Sequence, residues 1–457
     1  MIRLCITSQT PPTQPIGVRP PSRSAVWRLG RDYVPQVGGV VPMMRALLRV
    51  SRGHWVAPHP RWVSLGSADL PREFETDEGY TVETVSLEPE LRLRYVRFKD
   101  AVWRSFHGPW GLEPFASDDY RAFVDYNHRT AQQLLRHREA YDVFYVNDFQ
   151  LLLVGGLVGS AAPAILRWHI PLELRGYPEQ VRRFFLRAME GFDAIVVSTR
   201  RALEELIHQG FHGRAFQVYP YVDPAEHRRA PPGAVRRFRD AHGLGDRPYL
   251  LSVGRMDPVK RQDLLLRAFA RIRRRFPEHR LVLVGAGSFS TSLSESLHRP
   301  SKNEVWARRI RSLIRSERLT DSVVVAGGLS HEELGTAFDG AVGLVHPAPW
   351  EGFGLVGVEA WIHGLPVVVS RGAGIAELVT DGVNGFTVSP GSVSALASGM
   401  TALLTNPGRA ERMGDAGRLT ARRCHARPAA GRLREIFQHV IRQYQRQGRT
   451  PPEILRG

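Results

Sequence analysis

Cysteine is almost missing from this chain of 457 residues: Cys5 and Cys424 cannot by themselves make a disulfide framework or a zinc site. Lysine is nearly as scarce. It stands only at 99, 260 and 302, so almost all of the net charge of +17 comes from arginine, spread from end to end. That spread looks as much like a compositional bias as like a built basic patch, and no arginine–aromatic repeat or finger spacing accompanies it, so no nucleic-acid partner is expected. No apolar run approaches the roughly 20 residues that span a bilayer. The first residues, Met-Ile-Arg-Leu-Cys-Ile-Thr-Ser, hold too short an apolar segment for a secretion signal and read as a buried strand. A cytoplasmic location is the resulting expectation.

What the chain does have is length and alternation. It exceeds one ordinary core, so two domains of about 200 residues each are expected. Its hydrophobic fraction, 43%, is that of a globular protein. Short apolar runs alternate with helical patterns throughout and no repeat is visible, which implies doubly wound α/β domains. Pro231-Pro232-Gly233 reads as a linker. The expected division is a first domain over 1–228, a second over 229–430 and a terminal helix or tail over 431–457. Residues 10–24 read as a proline-rich loop and 288–304 as a serine-rich flexible insertion. The arginines of 421–449 lie on an amphipathic pattern, which suits a solvated helix face or peripheral contact with an anionic membrane.

The most informative stretch runs from His346 to Val388. A buried strand ending at Val345 leads through a Pro/Gly-rich turn into a helical pattern, Leu355–His363, which Gly364 and Pro366 stop. Gly352 and Gly354 let the backbone approach a ligand, and the free N–H groups of the first turn favour a phosphate. Glu351 precedes this helix and Glu359 lies eight positions later, so two carboxylates can serve one crevice. Carboxylates that accept from vicinal hydroxyls hold ribose or a hexose; a helix cap and a surface ion pair are the plainer alternatives. Earlier, Arg255-Met-Asp-Pro-Val-Lys260 follows a strand, and an arginine fork with a lysine five residues on suits a diphosphate whose charge grows as a bond breaks. A surface loop is the alternative there.

The pair of glutamates around Gly-Phe-Gly, with the strand Gly-Leu-Pro-Val-Val-Val-Ser after it, resembles the donor site of retaining glycosyltransferases of family 4. The resemblance implies that Glu351 contacts the transferred sugar, Glu359 the ribose of the leaving nucleotide, and the Arg255–Lys260 element its diphosphate. Gly354 and Leu355 would then bind donor. In the first half, Gly38-Gly39 before a helix matches the family's glycine loop against donor phosphate and acceptor, although such pairs also occur in plain turns. Helical spacing puts Phe98, Val102 and Phe106 on one core face, and Trp103 and His107 one turn apart on another. That segment resembles the acceptor side of trehalose-6-phosphate synthases, family 20, with Asp100 and Arg104 standing where Asn and Pro are usual. Val146-Asn147-Asp148-Phe149-Gln150-Leu151 resembles their Val-His-Asp-Tyr-His-Leu with both histidines replaced. Asp148, at a strand's end, would contact an acceptor hydroxyl or simply cap a helix. His169-Ile170-Pro171 resembles the segment whose histidine bonds the donor sugar, though a lone histidine is more often structural.

Together these imply the GT-B architecture, two Rossmann-like domains facing a central cleft, with the terminal helix crossing back to the first domain. The implied activity is a retaining hexosyl transfer from a UDP-, GDP- or ADP-sugar to a small polar acceptor, with a sugar as acceptor giving a trehalose-type 1,1-linked product. No cofactor and no metal are expected. A pseudo-glycosyltransferase, a specialised-metabolite glycosyltransferase and a membrane-surface glycolipid glycosyltransferase remain open, as does a homodimer. A pyridoxal-phosphate phosphorylase of the same fold needs a Schiff-base lysine in its second domain, and the lack of any lysine after Lys302 argues strongly against it. One departure bears on the acceptor: the synthases carry an arginine after the first strand to grip phosphate, where this chain has Ser8-Gln9-Thr10-Pro11-Pro12-Thr13.

Overall fold

The computed structural model describes residues 1–17, 26–36, 38–67, 70–108, 113–285 and 302–446. The chain divides into two compact units, Met1–Pro220 with the segment from Ala426, and Tyr221–His425.

The first unit holds an eight-stranded sheet in the order Ala215–Gln217, Ala194–Val197, Ala164–Trp168, Val143–Asn147, Leu4–Ser8, Arg61–Leu65, Thr81–Val85, Glu73–Glu75. All neighbours are parallel except the edge strand Glu73–Glu75. Strands such as Leu4–Ser8 and Val143–Asn147 are buried at every position, as a sheet covered on both faces requires. The winding reverses beside Leu4–Ser8, so the crevice for ligands lies at the C-terminal ends of Leu4–Ser8 and Val143–Asn147. The second unit repeats the plan in six parallel strands: Val323–Gly327, Arg280–Val284, Tyr249–Val253, Gly343–His346, Val367–Ser370, Gly385–Val388. Its reversal falls between Tyr249–Val253 and Gly343–His346, the strands that deliver the Arg255 loop and the Glu351 turn.

The terminal helix, expected from 431, starts at Ala426 and belongs to the first unit. Ala426, Ala429, Ala430, Leu433, Phe437 and Val440 form its buried stripe. Phe437 is fully buried, 5.0 Å from the Tyr145 ring and 6.0 Å from that of Trp55, a burial that contributes roughly 1.5–3 kcal/mol. Thr13–Pro15, expected as loop, pairs antiparallel with Tyr33–Pro35, a contact between segments that local pattern does not reveal. Of the serine-rich stretch 288–304, only 302–304 are described, in the first turn of the helix Lys302–Ser316. No helix among the described residues is long and apolar enough to cross a membrane.

Candidate functional site

In the second unit, the strand Tyr249–Val253 runs into a turn whose geometry is set locally. Asp257 caps the single helical turn Pro258–Lys260 by accepting from the Val259 N–H at 3.2 Å. Arg261, in the left-handed region at φ 51°, starts the helix Gln262–Ile272. The Gln262 side chain then ties the loop down, donating to the Arg255 carbonyl at 2.8 Å while accepting from the Trp306 indole at 2.8 Å. Lys260 is thereby aimed at Glu351, and its ammonium donates directly to Glu351 Oε2 with both side chains only 16% exposed. Arg255 sits half-buried at the start of the same turn.

Glu351 is held from behind. Its carbonyl accepts from the Gly374 N–H at 3.1 Å, and a Cβ at Gly372 would come 1.8 Å from the Pro349 carbonyl oxygen, so only glycine fits that approach. His346 Nε2 lies 3.6 Å from Glu351 Oε2, too long for a hydrogen bond, and is buried without a partner among the described residues. The helix Leu355–Ile362 opens at Gly354, whose φ of 97° favours glycine, and no side chain caps it. Lys260, Glu351, Gly354 and Leu355 therefore gather at one switch point, with the helix N-terminus among them.

Glu359, on the same helix, borders a cavity of about 350 Å³ between that helix, the helix His331–Asp339 and residues 225–231. Burial pushes its carboxyl pKa up, and the nearby His331 and His363 oppose the shift. The histidines around it are not among the residues expected at the site. His363 donates from Nδ1 to Asp339 at 2.8 Å and stacks on Phe338, while its Nε2 is buried without a partner among the described residues. His227 is pushed down to about 3, first by burial and then by His331 and His363. The position of His363 one helical turn after Glu359 was a readable signal; His227, just after the short turn Pro224–Glu226, had none.

In the first unit, Asp148 follows the strand Val143–Asn147 at φ 72°. Its Oδ1 accepts from the His169 N–H at 3.2 Å, and burial raises its pKa to about 6 against the backbone hydrogen bonds that lower it. His169 bonds through Nε2 to Asn147 Oδ1 at 2.9 Å. Burial, and then the charge of Arg167, hold its pKa well below the usual histidine range. Asp148 and His169 thus form one cluster. Trp103 and His107 form a second, their rings stacked at 4.1 Å and His107 Nδ1 2.8 Å from the Trp103 carbonyl. Phe98 and Phe106 pack in the core, Phe106 at 5.4 Å from Trp168, which ties the helix Pro89–Phe106 to the strand that delivers His169. Gly38, at φ 145°, and Gly39 are exposed and lead into the helix Val40–Ser51.

Two Rossmann-like α/β domains on parallel sheets, each with its polar groups at the switch point, define the GT-B class of fold. Residues 235–420, most of the second unit, match the model of the family Glycosyl transferases group 1. Among curated proteins, the chain is 35% identical over 199 residues to a GDP-mannose-dependent alpha-(1-6)-phosphatidylinositol monomannoside mannosyltransferase of Mycolicibacterium smegmatis, covering 42% of this chain and 48% of that protein. It is 32% identical over 235 residues to D-inositol 3-phosphate glycosyltransferase 2 of Catenulispora acidiphila, covering 50% and 52%. The chain thus spans about half the length of these relatives. Among solved structures it is similar to an alpha,alpha-trehalose-phosphate synthase (UDP-forming) from Burkholderia xenovorans in complex with glucose-6-phosphate, with a TM-score of 0.75 over 95% of this chain and 100% of that one at 19% identity. At that identity the likeness is one of fold.

Proposed function

We propose that this protein is a retaining, nucleotide-sugar-dependent hexosyltransferase acting on a small polar acceptor. The observation that carries the reading is the Lys260–Glu351 contact at the switch point of the second unit, beside a glycine-opened helix N-terminus. A departing diphosphate needs cations and N–H donors fixed in advance, each worth roughly 3 kcal/mol in a preorganised site. Lys260, Arg255 and the first turn after Gly354 supply them. Glu351 orients the donor sugar and holds Lys260 until phosphate takes its place, and Glu359 accepts from the ribose hydroxyls in a cavity at the lower end of the usual size for small-molecule sites. Asp148, Trp103, His107 and the Gly38-Gly39 loop hold the acceptor, with His169 on the donor sugar. The leaving phosphate takes the acceptor proton on the face where the new bond forms, so no protein base is needed, and this reading requires no metal or cofactor.

A trehalose-type product is the first reading of the acceptor, supported by the resemblance of the first half to trehalose-phosphate synthases. A cyclitol acceptor is the second reading, favoured by the relative that acts, by its name, on an inositol phosphate. Residues 9–17 contain no arginine to grip an acceptor phosphate at the first strand, which supports an unphosphorylated acceptor. The test is thermal stabilisation by UDP, GDP, ADP and their sugars, since a selective ligand raises the melting temperature by mass action. A shift with one nucleotide that disappears in Glu359→Ala is expected; no shift with any of them, in folded protein, overturns the donor site.

A further inference from the structure

The Asn147 amide is oriented without ambiguity. Its nitrogen lies 3.1 Å from the Thr7 carbonyl oxygen and 3.2 Å from the Tyr145 carbonyl oxygen, and both of these can only accept. The amide oxygen is therefore the end that faces His169 Nε2 at 2.9 Å. An amide oxygen only accepts, so Nε2 must carry the hydrogen. A second ring proton is disfavoured by the burial of His169 and by Arg167, two residues before it on the same strand, whose guanidinium is fully buried and bonds through Nη2 to the Val218 carbonyl at 2.7 Å. The other charged neighbour, Asp148, accepts from the His169 backbone N–H rather than from the ring. Nδ1 is left as a lone-pair nitrogen. It has no hydrogen bond among the described residues, and His169 is half-buried rather than fully buried.

We propose that Asn147 is a positioning residue that fixes His169 as the Nε2–H tautomer, so that the ring offers Nδ1 as an acceptor to a hydroxyl group of the transferred sugar. The last clause rests on the reading of His169 as a donor-sugar contact; the tautomer does not. A ring locked this way accepts from a hydroxyl and cannot donate to one. The site therefore selects a hydroxyl that is free to give its proton, and a methoxy or deoxy analogue at that position loses the bond.

The experiment is a two-bond 1H–15N spectrum of the full chain labelled at histidine, with the His169 signals assigned by their loss in His169→Gln. The expected result near neutral pH is a protonated Nε2 and an unprotonated Nδ1. The opposite tautomer, or a doubly protonated ring, overturns the proposal with no need for a variant to fold. In Asn147→Ala, and in the milder Asn147→Ser, the two nitrogen shifts should move toward each other as the tautomers mix. The donor KM should rise about fivefold with a smaller change in kcat, the size of one ordinary hydrogen bond. Unmoved shifts in both variants overturn the lock. A donor KM that is unchanged in His169→Gln overturns the sugar contact instead, and so distinguishes failure of the functional reading from failure of the lock.

Discussion

The two switch points are built from opposite materials. In the second unit a lysine and a glutamate meet as a pair, with an arginine on the same turn. In the first unit, burial raises the Asp148 carboxyl to about 6 and holds His169 well below its usual range, so the histidine stays neutral near pH 7, the carboxyl binds its proton more tightly than usual, and directed hydrogen bonds rather than an ion pair join the cluster. The contrast fits two tasks. A diphosphate that gains charge is answered by fixed charge, whereas sugar hydroxyls are selected by donors and acceptors in set directions, where a full charge would bring a desolvation cost and little direction.

The sharpest way to break this contrast is Lys260→Ala. Turnover should fall about 100-fold or more while the donor KM moves little, as for a group that acts mainly in the transition state; a steady-state rate like that of the unaltered protein would end the assignment. The first unit makes a prediction of similar energy but of a different kind. The Asp148 pKa rises from 3.8 unfolded to about 6 folded, so protonation favours the fold. The contribution is fully present below about pH 4 and is lost as pH rises through about 6, on the order of 3 kcal/mol in all. His169, with a lowered pKa, acts in the opposite sense below its unfolded value. Comparing Asp148→Asn with the unaltered protein isolates the carboxyl. The variant's melting temperature should gain on the parent's from pH 4 to 7, and a constant difference would show that the Asp148 pKa is not raised.

A smaller effect is expected at Glu359→Ala. Loss of a charged acceptor for ribose hydroxyls should weaken nucleotide binding by roughly 10- to 100-fold, measured by calorimetry, with the acceptor KM unchanged. Trp103→Ala should do the reverse at lower cost, raising the acceptor KM several-fold for roughly 1 kcal/mol of ring contact and leaving nucleotide binding intact. If both variants shifted the same ligand, the division of labour between the units would fail.

Most of the second unit's site was legible because its chemistry is carried by contiguous runs. Gly354, Leu355 and Glu359 share one short helix, and Arg255 and Lys260 share one turn. The Lys260–Glu351 contact was not legible in itself, since 91 positions separate the two and only the reversal of the sheet brings their strands side by side. The histidines near Glu359 were missed for the same reason, because His227 and His331 meet His363 through folding rather than spacing. In the first unit, Asp148 and His169 could be read from their places at strand ends, whereas the role of Asn147 needed the orientation of its amide, which no residue type declares. The strand Thr13–Pro15 escaped because its partner, Tyr33–Pro35, is remote and a run of three residues carries no period.

The terminal helix makes the first unit discontinuous: its core is closed by Leu433, Ile436 and Phe437, while the second unit is uninterrupted from Tyr221 to His425. During synthesis, then, the later unit is finished first. The earlier sheet leaves the ribosome with its Trp55 and Tyr145 faces uncovered and waits, through more than two hundred further residues, for the helix that seals it. The birth order of this protein is the reverse of its residue order, and the exposed interval belongs to the half of the molecule that holds Asp148 and His169.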